Sequence, residues 1–87
     1  MTLAKLVCFL RQRLVDSIER NNRKDLIVLC STFGVLREVS YPSGNEALIT
    51  IFADLEYSAQ HAAMGFMAKA KDIPSVEEIE NACFSPE

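Results

Sequence analysis

The chain has 87 residues, of which 49% are hydrophobic and 24% charged, and its formal net charge at pH 7 is −3. This composition excludes an intrinsically disordered chain, and the length predicts one compact domain over residues 1–87, with residues 84–87 as a tail that is free to fray. Charged residues interrupt every apolar run before it reaches the ~18 residues of a membrane span, so we expect no membrane segment.

The three cysteines, Cys8, Cys30 and Cys83, are an odd number and are spread across the chain without close pairs. Such cysteines are typical of free thiols in a reducing compartment, and no small-residue cleavage site follows the apolar run near the N-terminus. The sequence therefore predicts a cytoplasmic protein.

The charges divide unevenly along the chain. Residues 1–43 contain seven basic and four acidic side chains, which gives +3, whereas residues 44–87 contain two basic and eight acidic ones, which gives −6. A split of this kind favours self-association or a charged partner.

Residues 2–21 have apolar side chains at helical spacing, and Thr2 can cap the start of this helix. Asn21 and Asn22 form helices poorly and predict a break. Asn22 followed by Asp25 resembles a capping box that begins a second helix. We expect that helix to run to about Phe33 and to end at Gly34, which accepts a positive φ without steric cost.

Residues 35–41 and 46–52 are rich in β-branched and aromatic side chains, and the turn-forming residues 42–45 lie between them. This pattern predicts an antiparallel β-hairpin in which Tyr41 faces Glu46. Both faces of this ribbon would be largely apolar, and an isolated hairpin is marginally stable in water. The hairpin must therefore be covered.

Asp54 can cap a third helix that runs to about Lys71. Ser75 and Glu78 then form a second capping box, just after Pro74, for a short helix through Cys83. The predicted fold is α+β in the order helix–helix–strand–strand–helix–helix. Two copies could join their hairpins across a two-fold axis into a four-stranded sheet, and we therefore expect a homodimer.

Part of the chain also resembles an RNA-recognition motif. The stretches that carry the resemblance are Lys24-Asp25-Leu26, Phe33-Gly34 to Val39, Ala47 to Asp54, and Ser58 to Ala63. The resemblance implies a ferredoxin-like βαββαβ fold and a nucleic-acid-binding module. Where the third strand of that family carries base-stacking aromatics, this chain has Ala47 and Ile49, which instead favours a protein-binding variant.

No pattern of residues predicts catalysis or a cofactor. His61 is the only histidine in the sequence. A general base needs a hydrogen-bonding partner, and the spacing of the acidic residues along the sequence does not indicate one for His61. The three cysteines lack the close pairs of a structural zinc site, and no base that would activate Cys83 is identifiable. We therefore expect a protein that is not an enzyme and binds no metal or cofactor.

The sequence predicts a small interaction protein that works by protein–protein contact, as an adaptor, regulator or inhibitor. Its size and split charge would suit a phage- or virus-type antagonist of a host factor. The expected contact residues are Arg37 and Tyr41 with the acidic residues Glu77, Glu78 and Glu80. The alternative is nucleic-acid binding by a basic N-terminal helix, through Arg11, Arg13, Arg20, Arg23 and Lys24.

Overall fold

The computed structural model describes residues 2–66 and 73–84, and this part of the chain is helical and contains no β-strand. Helix α1 spans Leu3–Glu19, α2 spans Arg23–Ser40, α3 spans Glu46–Ala63 and α4 spans Val76–Phe84. A short 3₁₀ helix, Tyr41–Ser43, lies between α2 and α3. The α+β prediction is therefore wrong, and so is the ferredoxin-like alternative that the RNA-recognition resemblance implied.

The first two helix starts lie where the sequence predicted them. The hydroxyl of Thr2 accepts a hydrogen bond from the backbone N–H of Lys5 at 3.2 Å, and the side chain of Asn22 accepts one from the N–H of Asp25 at 3.2 Å. Asn21 has a φ of 53° and reverses the chain between the two helices. The break predicted at Asn21 and Asn22 is confirmed.

Helix α2 does not end at Gly34 but continues through the first predicted strand to Ser40. The reason is that Leu26, Leu29, Phe33 and Ser40 all lie on the buried face, at helical spacing on both sides of the glycine. A Cβ atom on Gly34 would stand 2.8 Å from Oε2 of Glu56 on α3. Gly34 therefore serves close packing between two helices rather than helix termination.

The second predicted strand is the start of α3. Residues 42–45 do reverse the chain as predicted, with Gly44 at a φ of 71°, but they connect two helices. Asn45 caps α3, its side-chain oxygen accepting from the N–H of Leu48 at 3.1 Å. Asp54 lies in the middle of α3 and not at its start, so that predicted cap is wrong.

The capping box at Ser75 is confirmed as the start of α4. The Ser75 hydroxyl accepts from the N–H of Glu78 at 3.1 Å, and α4 ends at Phe84, one residue past the predicted end. Helix α3 ends at Ala63 rather than near Lys71, which lies outside the described residues. Of the predicted tail over 84–87, Phe84 is the last residue of α4, and the other residues also lie outside the described part of the chain.

The four described helices pack as a ring. Helix α1 contacts α2 and α4, and α3 also contacts α2 and α4, while the interface between α2 and α3 is the most extensive. The apolar core that they enclose consists of Val7, Leu14, Leu26, Leu29, Phe33, Leu48, Ile51, Phe52, Leu55, Ala59, Ile73, Ile79 and Ala82.

Two side-chain bonds attach the short helix α4 to the others. The side-chain amide of Asn45 donates to the carbonyl of Ala82 at 2.9 Å, and Nε of Arg11 donates to the carbonyl of Pro74 at 2.6 Å. One bond holds the end of α4 against the start of α3, and the other holds the residues before α4 against α1.

We predict that Asn45→Ala costs more stability than Asn22→Ala. Both changes remove a helix N-cap, worth about 1 kcal/mol, but only Asn45 also bonds Ala82, which adds about 1 kcal/mol. Urea denaturation of the two variants measures the difference. Equal losses would show that the bond from Asn45 to α4 contributes nothing.

We predict that Gly34→Ala stabilises the protein more in a Glu56→Ala background than in the wild type. Alanine gains roughly 0.5–1 kcal/mol over glycine within a helix, but the added Cβ displaces the Glu56 carboxylate. A double-mutant cycle by urea denaturation measures this coupling. The same gain in both backgrounds would contradict the close approach at Gly34.

Candidate functional site

The outer surface of α2 carries an unexpected row of apolar side chains. Val28, Val35 and Val39 are 60%, 61% and 65% exposed, and together with Thr32 they follow a spacing of four, three and four residues. This spacing places them in one line along the exposed surface of α2, where a bundle helix is normally polar.

Helix α1 extends this row into a wider surface. Arg13 forms an ion pair with Asp25 at 2.9 Å, and Ser17 also donates a hydrogen bond to Asp25, which aligns α1 with α2. Phe9 lies one turn before Arg13, and Val28 lies one turn after Asp25. Because the two helices run in opposite directions, Phe9 and Val28 lie on the same side of this ion pair along the two helices.

We call this surface the α1–α2 face. It also includes a shallow depression of about 310 Å³ lined by Ser31, Thr32, Val35 and Leu36. The exposed large apolar side chains of α1 and α2 that we assign to this face are Leu3, Leu6, Phe9, Val28, Val35 and Val39. The sequence did not predict this surface, because Val35 and Val39 have the β-branched side chains that indicated a hairpin.

The predicted contact residues Arg37 and Tyr41 do lie together. Arg37 donates to Glu56 at 2.8 Å and to the Tyr41 hydroxyl at 3.0 Å, and it lies 3.8 Å from Glu38. The bond to Glu56 joins α2 to α3 and raises the pKa of Arg37. Arg37 thus has a clear structural role, and its role in partner contact stays a prediction.

The predicted acidic residues Glu77, Glu78 and Glu80 all lie on α4. Glu78 accepts a hydrogen bond from the Ser75 hydroxyl at 3.3 Å. Burial raises the pKa of the Cys8 thiol on α1, and the nearby charge of Glu80 raises it further. The three residues therefore share one short helix, and their contact role stays a prediction.

Glu78 also borders a groove between α3 and α4, with a volume of about 470 Å³. The residues that line this groove, which we call the α3–α4 groove, are Glu46, Ala47, Thr50, Ile51, Glu78, Asn81 and Ala82. Asp54 follows Thr50 by one turn along α3. Burial raises the pKa of Asp54, and the nearby charge of Glu78 raises it further.

The structure does not bring all the predicted basic residues together. Arg11 is turned toward Pro74 beside α4, whereas Arg13 is turned toward Asp25 on α2. Arg20 borders a polar depression with Arg13 and Asp25, and Arg23 borders another with Ile27, Cys30 and Met64. The two sides of α1 therefore carry separate basic groups.

His61 is half-buried in an aromatic cluster, with its ring centroid 3.9 Å from that of Tyr57 and 5.7 Å from that of Phe66. Burial raises the pKa of the Cys8, Cys30 and Cys83 thiols, which lowers their thiolate fraction. Within residues 2–66 and 73–84, no three His, Cys, Asp or Glu side chains are grouped so that they could hold a metal ion.

None of the helices in the described part of the chain combines the length and the apolar character that crossing a membrane requires. No protein-family model matches the chain, and no curated protein or solved structure shows significant similarity to it. A function must therefore be argued from the two surfaces alone.

We predict that Asp25→Asn and Asp54→Asn change stability in opposite directions at pH 7. The hydrogen bond from Arg13 makes the largest contribution to lowering the pKa of Asp25, and the hydrogen bond from Ser17 lowers it further. The ionised form of Asp25 therefore stabilises the fold. The raised pKa of Asp54 means that its ionised form is disfavoured in the fold. Asp25→Asn should lower the thermal midpoint, and Asp54→Asn should raise it.

The pH dependence of these effects follows from the same shifts. The stabilisation by Asp25 is present above its unfolded pKa of about 3.9 and is lost as the pH falls toward its lower folded pKa. The penalty of Asp54 is present in full above its raised folded pKa and disappears as the pH falls from that value to below the unfolded pKa. Thermal midpoints of both variants between pH 7 and pH 3 measure this, and effects of equal sign would contradict the assignment.

Proposed function

We propose that this is a small, non-enzymatic, cytoplasmic interaction protein that acts by protein–protein contact, and that it forms a homodimer through the α1–α2 face. One observation carries the proposal: six large apolar side chains are exposed on adjacent helices. A continuous apolar patch on a small protein is typical of an interaction surface. The cytoplasmic assignment is supported by three thiols that the structure leaves unpaired.

The face is apolar enough to support association. Burying the exposed part of each of these side chains is worth about 1 kcal/mol, so two copies together contribute about 12 kcal/mol. The entropy lost on association costs roughly 4–15 kcal/mol. The two terms are of similar size, and we therefore expect a dimer that dissociates on dilution rather than a permanent one.

A two-fold arrangement of two antiparallel α2 helices uses the valine row best. Val28 would pack against Val39 of the second copy, and Thr32 against Val35 of the second copy. Glu38, which lies beside the row, would then face Ser31 of the second copy rather than another carboxylate. The interface is self-complementary, as two-fold symmetry requires.

The basic residues are the basis of an alternative function, which is nucleic-acid binding. Arg20, Arg23 and Lys24 lie near one another in the sequence, where α1 ends and α2 begins. Nucleic-acid binding through them would weaken steeply with salt. Protein contact through the apolar α1–α2 face would not, because burial of apolar surface depends little on ionic strength.

The test compares Val35→Glu with Ile27→Glu by light scattering over a dilution series. Ile27 lies on the same helix and is 52% exposed, but it borders the depression next to α3 and not the α1–α2 face. We expect the wild type and Ile27→Glu to give the mass of a dimer at high concentration. Val35→Glu should be a monomer throughout, because the two-fold axis brings its two charges together.

Circular dichroism should show unchanged helix content in both variants, since both positions are exposed. A wild type that is monomeric at every concentration would refute the proposed dimer. Dissociation of both variants to the same degree would refute the assignment to the α1–α2 face. Salt-dependent binding of single-stranded RNA or DNA by the wild type would favour the alternative function.

A further inference from the structure

The α3–α4 groove lies on the other side of the helix ring from the α1–α2 face, and it differs in character. Its floor is apolar, formed by Ala47, Ile51 and Ala82, and its volume is about 470 Å³. Ala47 and Ala82 have the smallest side chains that line it, which leaves room between the two helices. The groove is therefore shaped to accept side chains from outside.

The walls of the groove are negatively charged. Glu46 stands on the α3 wall and Glu78 on the α4 wall, and Asp54 lies one turn beyond Thr50 on α3. Among the described residues, the ion pairs formed by Lys or Arg involve only Asp25, Glu38 and Glu56. The carboxylates along the groove are thus not neutralised by a described cation.

The groove is also held in place at one end. Asn45, at the start of α3, bonds the carbonyl of Ala82 near the end of α4. This bond fixes the spacing between α3 and α4 there before any partner arrives. A preformed groove loses little conformational entropy on binding.

We infer that the α3–α4 groove binds a short, basic, amphipathic helix of a partner protein, with apolar side chains on its floor and Lys or Arg side chains against its carboxylates. Charge complementarity identifies the partner. The groove has an apolar floor between acidic walls, so it fits a helix that has a row of apolar side chains between basic ones. The net charge of −6 on residues 44–87 would draw such a partner toward this side.

The dimensions of the groove indicate the length of the partner helix. Its α3 wall extends from Glu46 to Ile51, which is about 8 Å at the rise of an α-helix, or roughly one and a half turns. Both walls are helices, and a helix laid in a groove between helices is a common recognition mode, read by apolar side chains three and four residues apart. The partner segment is thus about two turns long.

The test is a titration of ¹⁵N-labelled protein with a synthetic helical peptide that carries leucines at every third and fourth position and lysines on both flanks. A peptide of the same composition in scrambled order is the control for nonspecific charge attraction. We expect chemical-shift changes confined to residues 46–54 and 78–82 with the amphipathic peptide. The scrambled peptide should give markedly smaller changes.

Two pairs of variants distinguish the contribution of the apolar floor to binding from that of the carboxylates. Ala47→Phe fills the groove and should abolish binding, whereas Ala47→Ser keeps it open and should not change the affinity. Glu46→Gln should weaken binding roughly threefold to fivefold, the effect of one exposed ion pair. Glu38→Gln, which removes a carboxylate from α2 outside the groove, should have no effect.

Absence of binding, equal binding of the two peptides, or normal binding by Ala47→Phe would each overturn the inference. So would chemical-shift changes centred on the α1–α2 face. The inference is independent of the proposed dimer, because Val35→Glu should bind the peptide as the wild type does. Likewise, Ala47→Phe should leave the mass in light scattering unchanged.

Discussion

The close approach of α2 and α3 at Gly34 is the constraint on which the rest of the structure depends. Without a side chain at this position, the Glu56 carboxylate can come against α2 and bond Arg37. This contact lies midway along both helices and fixes how they align. Once α2 and α3 form a pair, α1 and α4 can pack on them only along the remaining apolar faces, and the ring of helices follows.

The sequence predicted the chain reversals and most helix starts correctly, because capping depends on a few neighbouring side chains. Thr2, Asn22 and Ser75 each bond a backbone N–H three residues later, as their sequence neighbourhoods indicate. The residues between the caps were assigned wrongly. Val35, Val39, Ile49 and Ile51 have high strand propensity, but propensity is a weak guide where apolar spacing decides the fold.

The spacing that decides the fold was present in the sequence. Leu26, Leu29, Phe33 and Leu36 continue a helical repeat through Gly34, and Leu48, Ile51, Phe52 and Leu55 begin another. Gly34 predicts a helix end because a glycine at such a position usually follows one. The close approach of Glu56 on α3 explains why the residue at this point inside α2 is a glycine, and no local pattern contains that information.

The candidate surfaces were predictable to different degrees. The acidic character of α4 was visible in the sequence, but the apolar floor beneath it required the pairing of α3 with α4. The α1–α2 face could have been found from the four, three, four spacing of Val28, Thr32, Val35 and Val39, had these residues been read as one helix. Its extension to Phe9 depended on the ion pair that aligns α1 with α2.

The order of helices around the ring has a consequence for any assembly. A dimer joined through α1 and α2 would leave both of its α3–α4 grooves uncovered, because no residue of α3 or α4 belongs to the α1–α2 face. The two grooves could then hold segments from separate partner chains. Such a dimer would act as a cross-linker whose avidity depends on how its partners are arranged.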